Sequence, residues 1–181
     1  MTTSISVFGL GYVGCVSAAC FAHDGHRVVG VDVSRAKVDQ VNAGKSTIVE
    51  EGIAELVAEV VAAGRLRATD DIDEAVAATE VSLICVGTPS RPNGSIDLKY
   101  VTRVAEQIGQ AIAKKGRFHT VVVRSTVMPG SIDSLVVPTI EAASGLKHGT
   151  GFAVCSNPEF LREGSSIKDF RNPPFTLIGA S

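Results

Sequence analysis

A chain of 181 residues with 45% hydrophobic and 20% charged side chains has enough apolar mass for one sizeable α/β domain with a full core. A formal net charge of -2 and the lack of any Lys/Arg block argue against nucleic acid and anionic membrane surfaces as partners. No apolar run approaches the roughly 20 residues of a membrane span, and Met1-Thr2-Thr3-Ser4 lacks the basic start of a signal peptide, so a cytoplasmic protein is expected.

Ile5–Phe8 is β-rich and runs straight into a glycine-rich turn. The small residues over Val13–Asp24 suit a helix packed closely on a sheet. Arg27–Val33 reads as a second strand ending around Asp32; Ser34 is placed to cap a helix to Asn42, with Gly44 as its stop signal. Glu50–Ala63 reads as another helix, Arg65–Thr69 as a short strand, and Asp71-Ile72-Asp73-Glu74 as a capping box opening a short helix. Val81–Val86 is a near-continuous apolar run, as buried parallel strands are. Asp97 should cap a long helix to Lys115, with Val101, Val104, Ile108 and Ile112 at helical spacing. Thr120–Val123 (strand), Ser131–Ala143 (helix), Phe152–Cys155 (strand) and Phe175–Ile178 (strand) complete the pattern, and the loops Pro89–Ser95 and Gly145–Gly151 should be exposed. Alternation throughout implies an α/β, Rossmann-type doubly wound parallel sheet with helices on both faces, in the strand order 3-2-1-4-5-6.

In such a sheet, ligands bind outside the carboxyl ends of the strands. Gly9-Leu10-Gly11-Tyr12-Val13-Gly14 follows a strand and opens a helix, the context in which GxGxxG signals dinucleotide binding. Gly9 permits the tight turn, Gly11 lets backbone N–H groups reach a pyrophosphate, and Gly14 brings helix against strand. Asp32, eighteen residues past Gly14, can accept both ribose hydroxyls and would repel a 2′-phosphate, which favours NAD over NADP. The nearby Arg35 keeps NADP as the lesser alternative. Val86-Gly87-Thr88-Pro89 ends the strand across the crevice, where Thr88 can bond the cofactor and Pro89 can wall its adenosine side; a plain turn is the alternative. Ser125 and Thr126 place two hydroxyls at the next strand end, for a water or substrate alcohol or else for capping the following helix.

Asn157-Pro158-Glu159-Phe160-Leu161-Arg162-Glu163-Gly164 puts two carboxylates and a guanidinium directly after a strand, which reads as a substrate-facing loop, against the plainer alternative of a surface ion pair between Arg162 and either Glu. His23, His26, His119 and His148 all fall away from the crevice, so none suits general-base work there. Cys15, Cys20, Cys85 and Cys155 lie far apart in apolar segments and read as buried free thiols, with no metal site implied.

These motifs together resemble the N-terminal NAD-binding domain of the UDP-glucose/GDP-mannose dehydrogenase family, across essentially all 181 residues. The markers are Phe8–Gly14, Asp32–Lys37, Val86–Pro89, Ser125-Thr126 and Asn157–Gly164. Val86–Ser90, Val122–Val127 and Asn172–Thr176 point to the family's GDP-mannose-oxidising branch; the UDP-glucose branch, which commonly carries Pro-Asp/Glu-Arg at Pro173-Pro174-Phe175, is the alternative. Members oxidise a primary alcohol of a nucleotide sugar to a carboxylate with two successive NAD molecules, through a cysteine-bound thiohemiacetal and thioester. The resemblance implies a catalytic set of Thr126, Glu159 and Glu163, in which Thr126 positions the alcohol proton or a water and Glu159 acts as general acid/base. It implies too that Glu159 and Glu163 line the sugar-nucleotide site with Phe160, Leu161 and Arg162. It also implies that Asp32 and Lys37 hold the adenosine ribose, among cofactor contacts that include Gly9, Gly11, Tyr12, Val13, Gly14, Val86, Gly87, Thr88, Pro89, Ser125 and Thr126.

The nucleophilic cysteine, the central helix and the second nucleotide domain of that family have no counterpart here, which implies a cofactor-binding fragment of a homo-oligomeric enzyme. Thr47 and Glu51 stand where relatives often carry proline. Two readings compete: a β-hydroxyacid dehydrogenase, which would lack the Asn157–Gly164 loop, and an NAD-sensing module, which has no use for Thr126 or Glu159.

Overall fold

In a computed structural model, which describes residues 2–180, strands and helices alternate from one end to the other. In chain order they are β1 (Ser4–Phe8), α1 (Tyr12–His23), β2 (Arg27–Val31), α2 (Arg35–Asn42), α3 (Ile53–Ala62), β3 (Leu66–Thr69), α4 (Ile72–Ala78) and β4 (Val81–Ile84). There follow α5 (Lys99–Lys115), β5 (His119–Val123), a π-helical turn (Ile132–Val136), α6 (Val137–Ser144), β6 (Phe152–Ser156), α7 (Ser166–Arg171) and β7 (Gly179–Ala180). One sheet results, in the order β3-β2-β1-β4-β5-β6-β7, parallel except for the antiparallel β7. The chain thus starts at the centre, winds outward to β3, crosses back, and winds outward again to β7. That reversal leaves a crevice at the carboxyl ends of β1 and β4, the switch point of a doubly wound sheet.

The core forms because the strands are apolar on both faces: all five residues of β1 are buried. One face packs Phe8, Ile84, Val121 and Val123 against α4, α5 and α6; the other packs Val7, Val28 and Leu83 against α1, α2 and α3. On α5, Val101, Ala105, Ile108 and Ile112 are fully buried and Val104 is half-buried, as the helical spacing predicts. Among the described residues no helix is long and apolar enough to cross a membrane.

Several element boundaries differ from the sequence reading, each for a local reason. Asp32 is the first residue past β2 rather than part of it, because its side chain turns back to the loops described below. Residues 50–52 precede α3, whose first turn cannot extend back through Gly52 at φ +73°. Ser34 occupies the cap position of α2, but its N–H donates to Asp32 and its hydroxyl caps nothing. Half of the capping box forms: Asp71 Oδ1 accepts from Glu74 N–H at 3.0 Å, while the Glu74 carboxylate goes to Thr69 and Arg67. The helix expected over Ser131–Ala143 opens as a π turn, and Pro138, which has no N–H to donate, follows at once.

Residues 175–178 run beside β6 without joining the ladder; Leu177 O instead accepts from the Asn157 side chain, and pairing begins only at Gly179. Pro89–Ser95 is exposed throughout. The Gly145–Gly151 loop is half-buried at Leu146 and His148, because Leu146 packs on the core and the His148 ring accepts from Val154 N–H.

Candidate functional site

The glycine turn between β1 and α1 is shaped by what its missing side chains would strike. A methyl group on Gly14 would sit 1.7 Å from Gly9 O, and one on Gly9 would sit 2.9 Å from Cys85 O. Gly9 also holds φ +96°, which L side chains rarely adopt. A methyl group on Gly11 would meet nothing within 4 Å. Gly9 and Gly14 therefore lock α1 against the sheet, and Gly11 faces open space. No side chain caps α1, so its first N–H groups and the positive end of its dipole remain available to an anion. Glycines, uncapped helix and open face together fit a dinucleotide pyrophosphate.

Asp32 is buried beside this turn. Its Oδ2 accepts from Leu10 N–H at 2.8 Å and its Oδ1 from Ser34 N–H at 2.9 Å, with Lys37 Nζ 3.4 Å from Oδ2. A carboxylate has about four acceptor positions, so with Leu10, Ser34 and Lys37 as donors one is left for a ribose hydroxyl. Arg35 turns away, paired with Asp39 at 3.3 Å and Asp70 at 3.1 Å, and so is committed to carboxylates rather than free for a 2′-phosphate. Two neighbours escape the motif reading. Val33, 93% exposed beside Asp32, offers an apolar surface of the kind a base can cover. Thr47 donates its hydroxyl to Leu10 O at 2.8 Å and props the turn from the α2–α3 connection.

Opposite lies a crevice of about 300 Å³. It brings together Gly11, Tyr12 and Val13 of the glycine turn, Val86, Gly87 and Thr88 after β4, Arg124, Ser125 and Thr126 after β5, and Glu159 after β6. Thr126 is exposed on its wall. Ser125 is buried, and its hydroxyl donates to Val86 O at 2.6 Å, so it ties the β4 and β5 ends together. Pro89 is exposed beyond the crevice lining. Cys85 lies at the crevice floor, where burial pushes its thiol up to about 12; burial likewise pushes Cys20 up to about 11 and raises Cys155. All three are thiols at neutral pH, not thiolate nucleophiles. Cys15 and Cys20 are buried and Cys155, beside the short β7, is half-buried. The four histidines sit on other parts of the surface or at the amino end of the sheet.

The Asn157–Gly164 loop reaches the crevice through Glu159, whose Oε2 accepts from Leu161 N–H at 2.6 Å. Phe160 is exposed and packs against Phe175 with ring centroids 4.8 Å apart and planes tilted by 59°, and Leu161 packs toward α1 and α3. Arg162 pairs with Asp169 through Nη2 at 2.7 Å and Nε at 3.1 Å, not with Glu159 or Glu163, and holds the Asp169 carboxyl well below the usual range. Glu163 is exposed further along the loop, outside the crevice lining.

Glu50 is the residue that motif reasoning overlooks. Its carboxylate accepts from Gly164 N–H and Ser166 N–H, each at 3.0 Å, and from the Ser166 hydroxyl at 2.9 Å, and these donors hold it below the ordinary carboxylate range. No local signal marks it, because its partners lie 114 and 116 residues away. Tyr12 adds a second tie, donating its hydroxyl to Arg162 O at 3.1 Å.

Comparison with known proteins agrees with this geometry. Residues 3–181 match the model of the UDP-glucose/GDP-mannose dehydrogenase family, NAD binding domain. GDP-mannose 6-dehydrogenase of Azotobacter vinelandii is 56% identical over 175 residues, which is 97% of this chain and 40% of that protein. The crystal structure of a ternary complex of GDP-mannose dehydrogenase from Pseudomonas aeruginosa superposes with a TM-score of 0.96 at 53% identity, over 98% of this chain and 41% of that one. UDP-glucose dehydrogenase from Pyrobaculum islandicum gives a TM-score of 0.94 at 48% identity, over 100% of this chain and 41% of that one. The chain spans about two-fifths of the length of these relatives.

Proposed function

Since the chain belongs to the UDP-glucose/GDP-mannose dehydrogenase family and is its NAD-binding domain, we propose that it serves as the cofactor half of a nucleotide-sugar 6-dehydrogenase that oxidises GDP-mannose to GDP-mannuronate. The observation that carries the reading is the shared crevice: an open glycine turn on one side, Thr126 and Glu159 on the other. UDP-glucose is the second substrate reading, favoured by the likeness to the Pyrobaculum enzyme. In this proposal the base pocket and the nucleophilic cysteine belong to a second domain, and the contacts of a homo-oligomer to a central helix, of a complete cytoplasmic enzyme.

Bound NAD would supply the acceptor for hydride. The chain's own part is to place and move protons. Asp32 and Lys37 orient the adenosine ribose, and the α1 N-terminus holds the pyrophosphate. Thr126 positions the substrate alcohol or a water by its hydroxyl. Glu159, anchored through Leu161 N–H, takes or returns a proton at its free carboxylate oxygen. Glu163, with Phe160, Leu161 and Arg162, lines the approach of the sugar nucleotide.

Calorimetric titration tests the cofactor assignment first. NAD should bind, NADP should bind at least about tenfold more weakly, and Asp32→Ala should weaken NAD by about tenfold or more, equivalent to about 1.4 kcal/mol. Equal affinity for both dinucleotides would reject the role given to Asp32. In the complete enzyme, Glu159→Gln should lower kcat by about a hundredfold with NAD binding intact. Unchanged turnover in that variant would reject Glu159 as the acid/base, and faster turnover of UDP-glucose than of GDP-mannose would reverse the substrate order.

A further inference from the structure

Arg124 follows β5 directly and runs beneath the Asn157–Gly164 loop. Charge-bearing or ionisable neighbours come from three elements: Cys85 after β4, Cys20 of α1, and Glu159 after β6. Its guanidinium carbon lies 5.6 Å from the centre of the Phe170 ring on α7. Nη1 donates to Asn157 Oδ1 at 2.6 Å, so the close acceptor is a neutral amide rather than a carboxylate. Nε is buried and has no hydrogen-bond partner among the described residues. A guanidinium withdrawn from water with a donor unused is a costly arrangement, and native structures keep such groups sparingly. Burial accordingly lowers its pKa.

The same side chain borders two spaces. One is the crevice of about 300 Å³ that carries Thr126. The other is a cavity of about 200 Å³ under the loop, lined by Asn157, Pro158, Phe160 and Phe175. Glu159 also borders both, so Arg124 and Glu159 stand together at the partition between them. Asn157 is held on three sides: its N–H donates to Val123 O at 2.9 Å, its amide Nδ2 to Leu177 O at 2.9 Å, and its Oδ1 receives Arg124. Pro158 then fixes φ, leaving little freedom before Glu159.

We propose that Arg124 is a positioning residue: by holding Asn157 it sets the loop so that Glu159 projects into the crevice shared with Thr126. Arg suits the place because a planar fork can bond an amide and lie over an aromatic ring together, which a lysine ammonium cannot reproduce. The inference rests on the role given to Glu159 above.

The test uses the complete enzyme that carries this domain, with Arg124→Ala, Asn157→Ala, the double variant and Arg124→Lys. Each alanine variant should lower kcat by about tenfold and change NAD affinity by less than about twofold, and the double variant should lose little more than the worse single one, since both act along one chain. Millimolar guanidinium ion should restore turnover in Arg124→Ala and not in Asn157→Ala, a response that a purely structural role does not give. Additive losses, NAD affinity falling in step with kcat, or no rescue by guanidinium would overturn the proposal. If Arg124→Ala does not fold, Arg124→Lys decides: kcat down by about threefold or more with NAD affinity kept supports it, and wild-type kcat refutes it. Glu159→Gln separates the two readings. Full turnover there fails the functional reading itself, whereas lost turnover there beside wild-type kcat in Arg124→Ala fails only this inference.

Discussion

Gly11 and Gly14 occupy one turn, yet a methyl group added to each meets opposite surroundings. At Gly14 it collides with Gly9 O at 1.7 Å, and backbone must move. Gly14→Ala should therefore destabilise the fold by about 3 kcal/mol, the upper part of the usual overpacking range, as read by urea unfolding. At Gly11 it points into open space from a φ of -81°, which alanine adopts freely. Gly11→Ala should leave stability within about 0.5 kcal/mol and still weaken NAD by about tenfold or more, because the methyl group occupies the approach of the pyrophosphate. Equal stability loss in both variants would show that the two glycines do not divide these roles. The motif is readable as letters; the division of labour inside it comes from distances.

Among the elements, α7 has six residues and little intrinsic stability, so its attachment matters more than its sequence. Glu50 supplies the acceptor for the N–H groups of Gly164 and Ser166, and Asp169 gathers Arg162 and Ser165 onto the same short helix. The loop carrying Glu159 is thus tied at its far end by a residue from the α2–α3 connection. Glu50→Ala should speed amide exchange at Gly164 and Ser166 by about tenfold or more while leaving β1 and β4 amides unchanged, since local openings need not involve the whole fold. Unchanged exchange at Gly164 would mean that Tyr12 and Asp169 suffice to hold the loop. Its position after a strand makes Asn157–Gly164 a candidate substrate-facing loop from sequence, but nothing local marks Glu50, whose partner is chosen by packing.

Across the whole molecule, the amino end of the sheet carries a buried polar chain on the side opposite to the crevice. Lys115 Nζ donates to His119 Nδ1 at 2.6 Å, which leaves Nε2–H to donate to Ser82 Oγ at 2.7 Å, and Ser82 joins Ser6 at 2.7 Å. Burial first, then the charges of Lys115 and Arg117, lowers the His119 pKa from 6.5 to about 3. The folded state therefore keeps a neutral ring while the unfolded chain takes up a proton below about pH 6.5. Stability from this residue is complete above pH 6.5 and declines as pH falls toward 3, by about 1.4 kcal/mol per pH unit once the unfolded ring is charged. Urea unfolding between pH 7 and 4.5 should show a shallower acid decline in His119→Asn than in the unaltered protein. Carboxylates held low, such as Glu80 and Asp97, steepen both curves alike, so the difference isolates the histidine. Parallel curves would rule out a neutral buried ring.

The sequence by itself determined the doubly wound sheet, the glycine turn followed by a carboxylate after the second strand, and the NAD-binding family, because these depend on local periodicity and short spacing. Alternation of apolar strands with helices leaves few topologies open, and the carboxylate after the second strand lies beside the glycine turn. Tertiary structure decided what depends on contacts between distant segments. It committed Arg35 to Asp70, turned Ser125 inward, and left Glu163 outside the crevice. It also brought Glu50 to α7 and Arg124 under Asn157. A side chain's partner is settled by which backbones the fold brings within hydrogen-bond range, and at separations of 33 to 116 residues no local pattern carries that information.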